Sequence, residues 1–217
     1  MKHLTLRKQL IETARSMNAL GINQGRSGNV SARMDGGLLI TPSGMDYDLL
    51  KPGDIVEMTL DGAIQAGNRL PSTEWPFHTT ILARRSDAGA VVHTHSPMAT
   101  ALSCLRRDIP AFHYMVAVAG GDTIRCAPYA TFGSRALSDA ALAALEGRKA
   151  CLLANHGVIA LGETLKSALD LAVEVETLAA QYQRALQIGK PVILPKAEMA
   201  RVLKAFRTYG RQPGEKP

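Results

Sequence analysis

The sequence predicts an α/β chain of α+β-like character, in which a central, mostly antiparallel or mixed β-sheet is flanked by helices. Three observations carry this. Short apolar runs rich in Val, Ile and Leu recur between turn signals. Longer stretches with helical spacing lie between and around them. Several successive strands have no helix between them, and parallel pairing would require such a crossover. The 217 residues contain no repeat, low-complexity tract or linker-like stretch, so the expectation is a single domain over 1–217.

The first helix is predicted over 4–20, where Leu6, Leu10, Ala14 and Met17 fall on one face and Gly21 supplies the stop. Strands are expected over 38–41 and 55–60, separated by turns at Pro42-Ser43-Gly44 and Lys51-Pro52-Gly53-Asp54. Ser72 is placed to cap a helix through Phe77 and Ile81, with Pro76 in its tolerant first turn. Residues 91–95 read as a buried strand, and Ser96-Pro97 as the cap and first turn of a helix to 105. A strand is expected over 112–118, before Gly120-Gly121, and a helix over 134–145. Two strands, 150–154 and 158–161, meet at Asn155-His156-Gly157. A long helix over 165–186 places Leu165, Leu169, Ala172, Val175, Ala179, Tyr182 and Leu186 on one stripe.

Composition removes several function classes. Apolar residues make up 46% and charged residues 20%, as in an ordinary globular protein. No window is apolar for long enough to span a bilayer, and the N-terminal segment lacks a signal-peptide core, so a cytoplasmic protein without a membrane partner is expected. The three cysteines, Cys104, Cys126 and Cys151, have neither metal-type spacing nor a disulfide framework, and are expected as reduced thiols. The net charge of +6 is spread along the chain, aromatic residues are only 5%, and nucleic-acid signatures are absent. Attraction of a small anionic substrate is the better explanation.

The chemistry concentrates in Val91-Val92-His93-Thr94-His95. Alternate residues of a strand share a face, so the two imidazoles converge on one small volume. Half of the six histidines lie in Gly- or turn-flanked apolar segments, His156 among them. Glu74 sits upstream in Pro71-Ser72-Thr73-Glu74-Trp75. Three His and a Glu are the inventory of a catalytic divalent-metal site, zinc being the usual occupant of nitrogen-rich sets and Mn2+ or Co2+ the alternatives. The plainer readings are histidines satisfied by backbone partners in a sheet and a Glu74 that complements a helix N-terminus.

Three segments suit an anion: residues 25–31, Thr41-Pro42-Ser43-Gly44 and Ser72-Thr73. Plain turn and cap chemistry is the alternative for each. None matches a nucleotide fingerprint.

These segments occur in the order Asn23-Gln24-Gly25, Gly28-Asn29-Val30-Ser31, Leu39-Ile40-Thr41-Pro42-Ser43-Gly44, Leu70-Pro71-Ser72-Thr73-Glu74-Trp75, the His93 strand and Asn155-His156-Gly157. With Ile109-Pro110-Ala111-Phe112-His113-Tyr114-Met115 and the run from Cys126 to Gly133, the whole set resembles the class II aldolase/adducin family. The resemblance implies that family's fold and a zinc site of Glu74, His93, His95 and His156. It implies a phosphate pocket from Asn29, Ser43, Gly44, Ser72 and Thr73, uniting the three anion candidates. It implies a homotetramer in which Tyr114 of a neighbouring subunit reaches the substrate as a catalytic group, with Phe132 in the aldehyde pocket and Tyr209 as a further catalytic residue closing the site.

The reaction implied is cleavage of a ketose 1-phosphate, L-fuculose 1-phosphate or a similar compound, to dihydroxyacetone phosphate and a small aldehyde such as lactaldehyde. Substrates such as 5-deoxyribulose or methylthioribulose 1-phosphate are alternatives within the same chemistry. Pentulose-5-phosphate 4-epimerase, dehydratase and sugar-acid phosphate decarboxylase activities are more distant, as is a non-catalytic adducin-like interaction module. The pattern departs from the resemblance at Arg26-Ser27, Thr73, Thr94 and Ala154-Asn155, which leaves the aldehyde open.

Overall fold

The computed structural model describes residues 1–206. Its frame is one eight-stranded sheet. The strands are β1 (Asn29–Met34), β2 (Gly37–Ile40), β3 (Val56–Met58), β4 (Ile64–Ala66), β5 (Ala90–Thr94), β6 (Arg125–Ala127), β7 (Ala150–Leu153) and β8 (Gly157–Gly162). They run in the order β4-β3-β2-β1-β5-β8-β7-β6. Every neighbouring pair is antiparallel except β6 with β7. The sheet is therefore mixed and mostly antiparallel, as the scarcity of crossover helices predicts.

Six α-helices are described: α1 (Leu4–Ala19), α2 (Trp75–Arg84), α3 (Pro97–Cys104), α4 (Arg135–Ala144), α5 (Leu165–Ile188) and α6 (Lys196–Phe206). Both faces of the sheet are covered. Ala90 and Val92 of β5 join Ala14 of α1, Ala99 of α3 and Val175 of α5 in one apolar cluster. Val91, between them, packs on the opposite face with Phe77 and Ile81 of α2 and Leu137 and Ala141 of α4. This alternation follows from the two-residue period of a strand, and covering both faces explains why every residue of β5 is buried. It also places His93 on the α2 face.

Two caps differ from the sequence expectation. Helix α2 begins at Trp75, and the Ser72 hydroxyl accepts the Glu74 N–H in the turn before it, 3.3 Å away. Ser96 occupies the N-cap position of α3 without capping it. The Glu176 carboxylate of α5 accepts the N–H groups of Met98 and Ala99 at 2.8 and 2.9 Å instead. An acidic cap matches the positive end of the helix dipole and ties α5 to the segment that follows the metal-type histidines.

The strand expected over 112–118 is absent. Residues Tyr114–Ala119 form a 3-10 helix, whose start is fixed by the His113 ring accepting the Met115 N–H at 3.1 Å. Its buried residues are Val116, Ala117 and Ala119, a spacing that a strand cannot bury on one face. Strands β1, β4 and β6 and helix α6 were not expected. The Gly-rich run read as an anion loop turns into β1 at Asn29, and β4 and β6 are only three residues long. Among the described residues no helix is long and apolar enough to cross a membrane.

Candidate active site

Four segments converge on one end of the β1–β5–β8 centre of the sheet. His93 is the fourth residue of β5, opposite Ile159 of β8 and Asn29 of β1. His95 follows two residues on, just beyond the strand. His156 sits in the corner between β7 and β8, after Asn155, which adopts a left-handed backbone with φ of 55°. Asn tolerates that region better than most residues. Gly157 is required for a different reason. A Cβ there would lie 2.4 Å from the Thr94 carbonyl and 3.0 Å from the His95 ring, so only glycine lets the corner approach β5 so closely. Glu74 enters from the N-terminus of α2.

The ligand atoms of Glu74, His93, His95 and His156 all lie within 4.8 Å of one another. Glu74 Oε2 is 3.1 Å from His93 Nε2, and Glu74 Oε1 is 3.1 Å from His156 Nε2. The Nε2 atoms of His93 and His95 are also 3.1 Å apart. His93 Nδ1 donates to the Val158 carbonyl at 2.8 Å, which turns the lone pair of Nε2 into the cluster. Glu74 Oε1 is buried with no hydrogen-bond partner meeting the usual geometry, although His156 Nε2 lies 3.1 Å away. The inward lone pair of His93 and an orphaned carboxylate oxygen of Glu74 face one small volume, an arrangement that a cation lying among them satisfies. The donor set fits a divalent metal, with three imidazole nitrogens and one carboxylate.

Electrostatics agree. Burial would raise the Glu74 carboxyl, but the His93 and His156 rings against it outweigh burial and hold it well below the usual carboxylate range. Burial, then the neighbouring His93 and His156, pushes His95 down to about 4, so its ring is neutral and able to ligate at neutral pH.

The metal-type cluster opens onto a cavity of about 280 Å³. Ser27, Thr73, Tyr129, Phe132 and Asn155 are among the residues lining it. The three anion candidates come together, and Ser27 and Thr73 carry two of them to the cavity. Pro42 bridges to Pro71, the Ser43 N–H reaches the Leu70 carbonyl at 3.0 Å, and the Arg26 guanidinium donates to the Gly44 carbonyl at 2.7 Å. Ser43, Gly44 and Thr73 are exposed there, and Ser72 is buried.

Asn29, expected at the phosphate, has its carboxamide engaged elsewhere, with Glu74 at 3.0 Å and His78 at 2.5 Å. Tyr114 is exposed, stacks on His113 with ring centroids 4.9 Å apart, and is not among the residues lining its own chain's cavity. Tyr209 lies outside the described residues.

Sequence reading missed His78 and Ser31, whose side chains meet behind Glu74. Two spacings carry the signal: Glu74 and His78 are four apart at the start of a helix, and Asn29 and Ser31 alternate on a strand.

Known proteins share this sequence and fold. A profile of the Class II Aldolase and Adducin N-terminal domain matches residues 8–183. The 5-methylthioribulose-1-phosphate/5-deoxyribulose-1-phosphate aldolase of Rhodospirillum rubrum is 60% identical over 207 residues, covering 95% of this chain and 93% of the relative. The L-fuculose phosphate aldolase of Escherichia coli K12 is 50% identical over 211 residues, covering 97% and 98%. A solved L-fuculose 1-phosphate aldolase superimposes with a TM-score of 0.92 at 40% identity, covering 95% of this chain and 98% of that one.

The chain belongs to the class II aldolase/adducin family. Within it, this is an enzyme of the class II aldolase kind, a carbon–carbon lyase, with a full set of side chains for a divalent metal.

Proposed function

We propose that the protein cleaves a ketose 1-phosphate between C3 and C4, releasing dihydroxyacetone phosphate and a short aldehyde. We take zinc as the metal, 5-deoxyribulose 1-phosphate and methylthioribulose 1-phosphate as the favoured substrates, and L-fuculose 1-phosphate as the second reading. The observation that carries the proposal is the Glu74/His93/His95/His156 cluster at the floor of a small cavity. The 60% identical relative favours the five-carbon substrates, and the aromatic lining from Tyr129 and Phe132 suits an apolar aldehyde such as acetaldehyde. The 50% identical relative supports the fuculose reading.

Glu74, His93, His95 and His156 would hold the metal. A bound divalent ion supplies positive charge that stabilises the negative charge left on the dihydroxyacetone phosphate half when the C3–C4 bond breaks. Glu74 carries a proton to C3 of that half, and removes it in the condensing direction. Tyr114, from the neighbouring subunit of a homotetramer, takes the proton from the C4 hydroxyl as the carbonyl of the aldehyde forms. Its exposure and its position away from its own chain's cavity support that arrangement. The N–H groups of Gly44 and Thr73, with the hydroxyls of Ser43, Ser72 and Thr73, hold the phosphate, which fixes the reacting carbons relative to Glu74. The cytoplasm is the proposed compartment, suited to three free cysteines.

A panel of the three ketose 1-phosphates, with dihydroxyacetone phosphate release as readout, tests the reading. The highest kcat/KM is expected for a five-carbon substrate. A preference for L-fuculose 1-phosphate would select the second reading, and no release from any of them would refute the aldolase assignment to ketose 1-phosphates.

A further inference from the structure

Behind the metal-type cluster lies a buried layer that the proposed reaction does not use. His78, on α2 one turn after Glu74, is fully buried, and its ring stacks on Phe77 with centroids 4.6 Å apart. Both ring nitrogens are engaged: Nδ1 lies 2.7 Å from Ser31 Oγ and Nε2 lies 2.5 Å from Asn29 Oδ1. Asn29 Nδ2 is in turn 3.0 Å from Glu74 Oε2. The sheet register explains the contact, since Asn29 and Ser31 pair with His93 and Val91 and so face α2 as those residues do.

Counting hydrogens fixes the direction of every bond in this chain. An ionised carboxylate only accepts, so Asn29 must offer its N–H to Glu74 and turn its carbonyl to His78. A carbonyl also only accepts, so His78 must carry its proton on Nε2. The remaining lone pair on Nδ1 then accepts the Ser31 hydroxyl. Donation runs from Ser31 to His78 to Asn29 to Glu74.

We propose that His78 is a positioning residue. Its Nε2–H locks the Asn29 carboxamide in the one orientation that donates to Glu74, and so holds the Glu74 carboxylate against His93 and His156. Without that donor the buried Asn29 carbonyl loses its partner, and nothing on that side fixes the position from which the carboxamide N–H meets Glu74. The inference rests on the metal-centre reading above.

A histidine that only fills space between α2 and the sheet would be replaceable by any side chain that packs. Two variants separate the cases. His78→Leu keeps apolar bulk and loses the donor; His78→Gln keeps an N–H at about the reach of the imidazole Nε2. Each folded variant, checked by circular dichroism, is titrated with Co2+ against a chelator and its visible spectrum recorded. Loss of a partner that orients a ligand typically weakens metal affinity about 10–100-fold, and that loss, with an altered cobalt spectrum, is expected for His78→Leu. His78→Gln is expected to stay within a few-fold of wild type with the wild-type spectrum. Wild-type affinity and spectrum in His78→Leu, or an equal loss in both variants, would overturn the proposal.

Nitrogen NMR of histidine-labelled wild-type protein supplies a measurement that needs no substitution and no metal. It should find His78 as the Nε2–H tautomer, and the Nδ1–H tautomer would refute the proposal. Wild-type protein that takes up no divalent ion would refute the metal-centre reading instead, while the tautomer still decides this one.

Discussion

Replacing Glu74 by Gln isolates the role of one charge at nearly constant shape. Asn29 donates to Oε2 at 3.0 Å, so the new carboxamide must place its carbonyl there. Its NH2 then occupies the place of Oε1, 3.1 Å from His156 Nε2, where it competes for the lone pair that a metal would use. Metal affinity should fall, yet three imidazoles remain and zinc should still load at saturating concentration. The proton carrier at C3 is gone. A positioned general base or acid contributes roughly 10²–10⁴-fold, or about 2.7–5.5 kcal/mol of barrier, and kcat should drop by that factor. The assay that isolates the step is exchange of the C3 hydrogen of dihydroxyacetone phosphate with D2O, followed by proton NMR on zinc-loaded protein. Wild type should exchange one hydrogen without any aldehyde present, and Glu74→Gln should be slower by the same factor as cleavage. Exchange at the wild-type rate in the zinc-loaded variant would refute the proton role assigned to Glu74.

Two further perturbations follow from the same geometry. Gly157→Ala puts a Cβ 2.4 Å from the Thr94 carbonyl, so β8 must shift, costing about 1–3 kcal/mol of stability and displacing His156; calorimetry and zinc stoichiometry should fall together, and an unchanged Tm would contradict the close approach. Burial, with His93 beside them, holds His78 down to about 3 and His95 to about 4, against an ordinary value of 6.5. As pH falls, the unfolded chain therefore binds protons before the folded one, and metal-free protein should keep its stability above about pH 6.5 and lose it progressively below. The decline in Tm should be shallower in His78→Gln, and identical slopes would contradict the assignment.

Much of the site is legible in the chain because strand alternation is a short-range rule. His93 and His95 had to share a face once β5 was recognised, and the turn residues around His156 marked it as a corner. The four candidate ligands therefore emerge from local pattern, and the fold brings their donor atoms together. Asn29 carries contacts that local reading does not disclose. Its Gly-rich surroundings suggest a loop at an anion, whereas tertiary pairing with β5 draws it into β1 and turns its side chain to Glu74 and His78. The segment 112–118 fails for a related reason. Its β-like composition is overridden by the His113 cap and by burial against α5 and α6 outside the sheet. Strands as short as β4 and β6, with three residues each, carry too little periodicity to be read at all. The Glu176 cap on α3 spans 77 and 78 residues of sequence, and only the folded packing of α5 discloses it.

The central claim is that Glu74, His93, His95 and His156 form a metal centre on which carbon–carbon cleavage depends. Metal analysis of purified protein, followed by chelation and titration with Zn2+ while dihydroxyacetone phosphate release is recorded, tests it most directly. Activity should vanish on chelation and return in proportion to zinc up to a single ion per chain. Undiminished cleavage by metal-free protein would contradict the account.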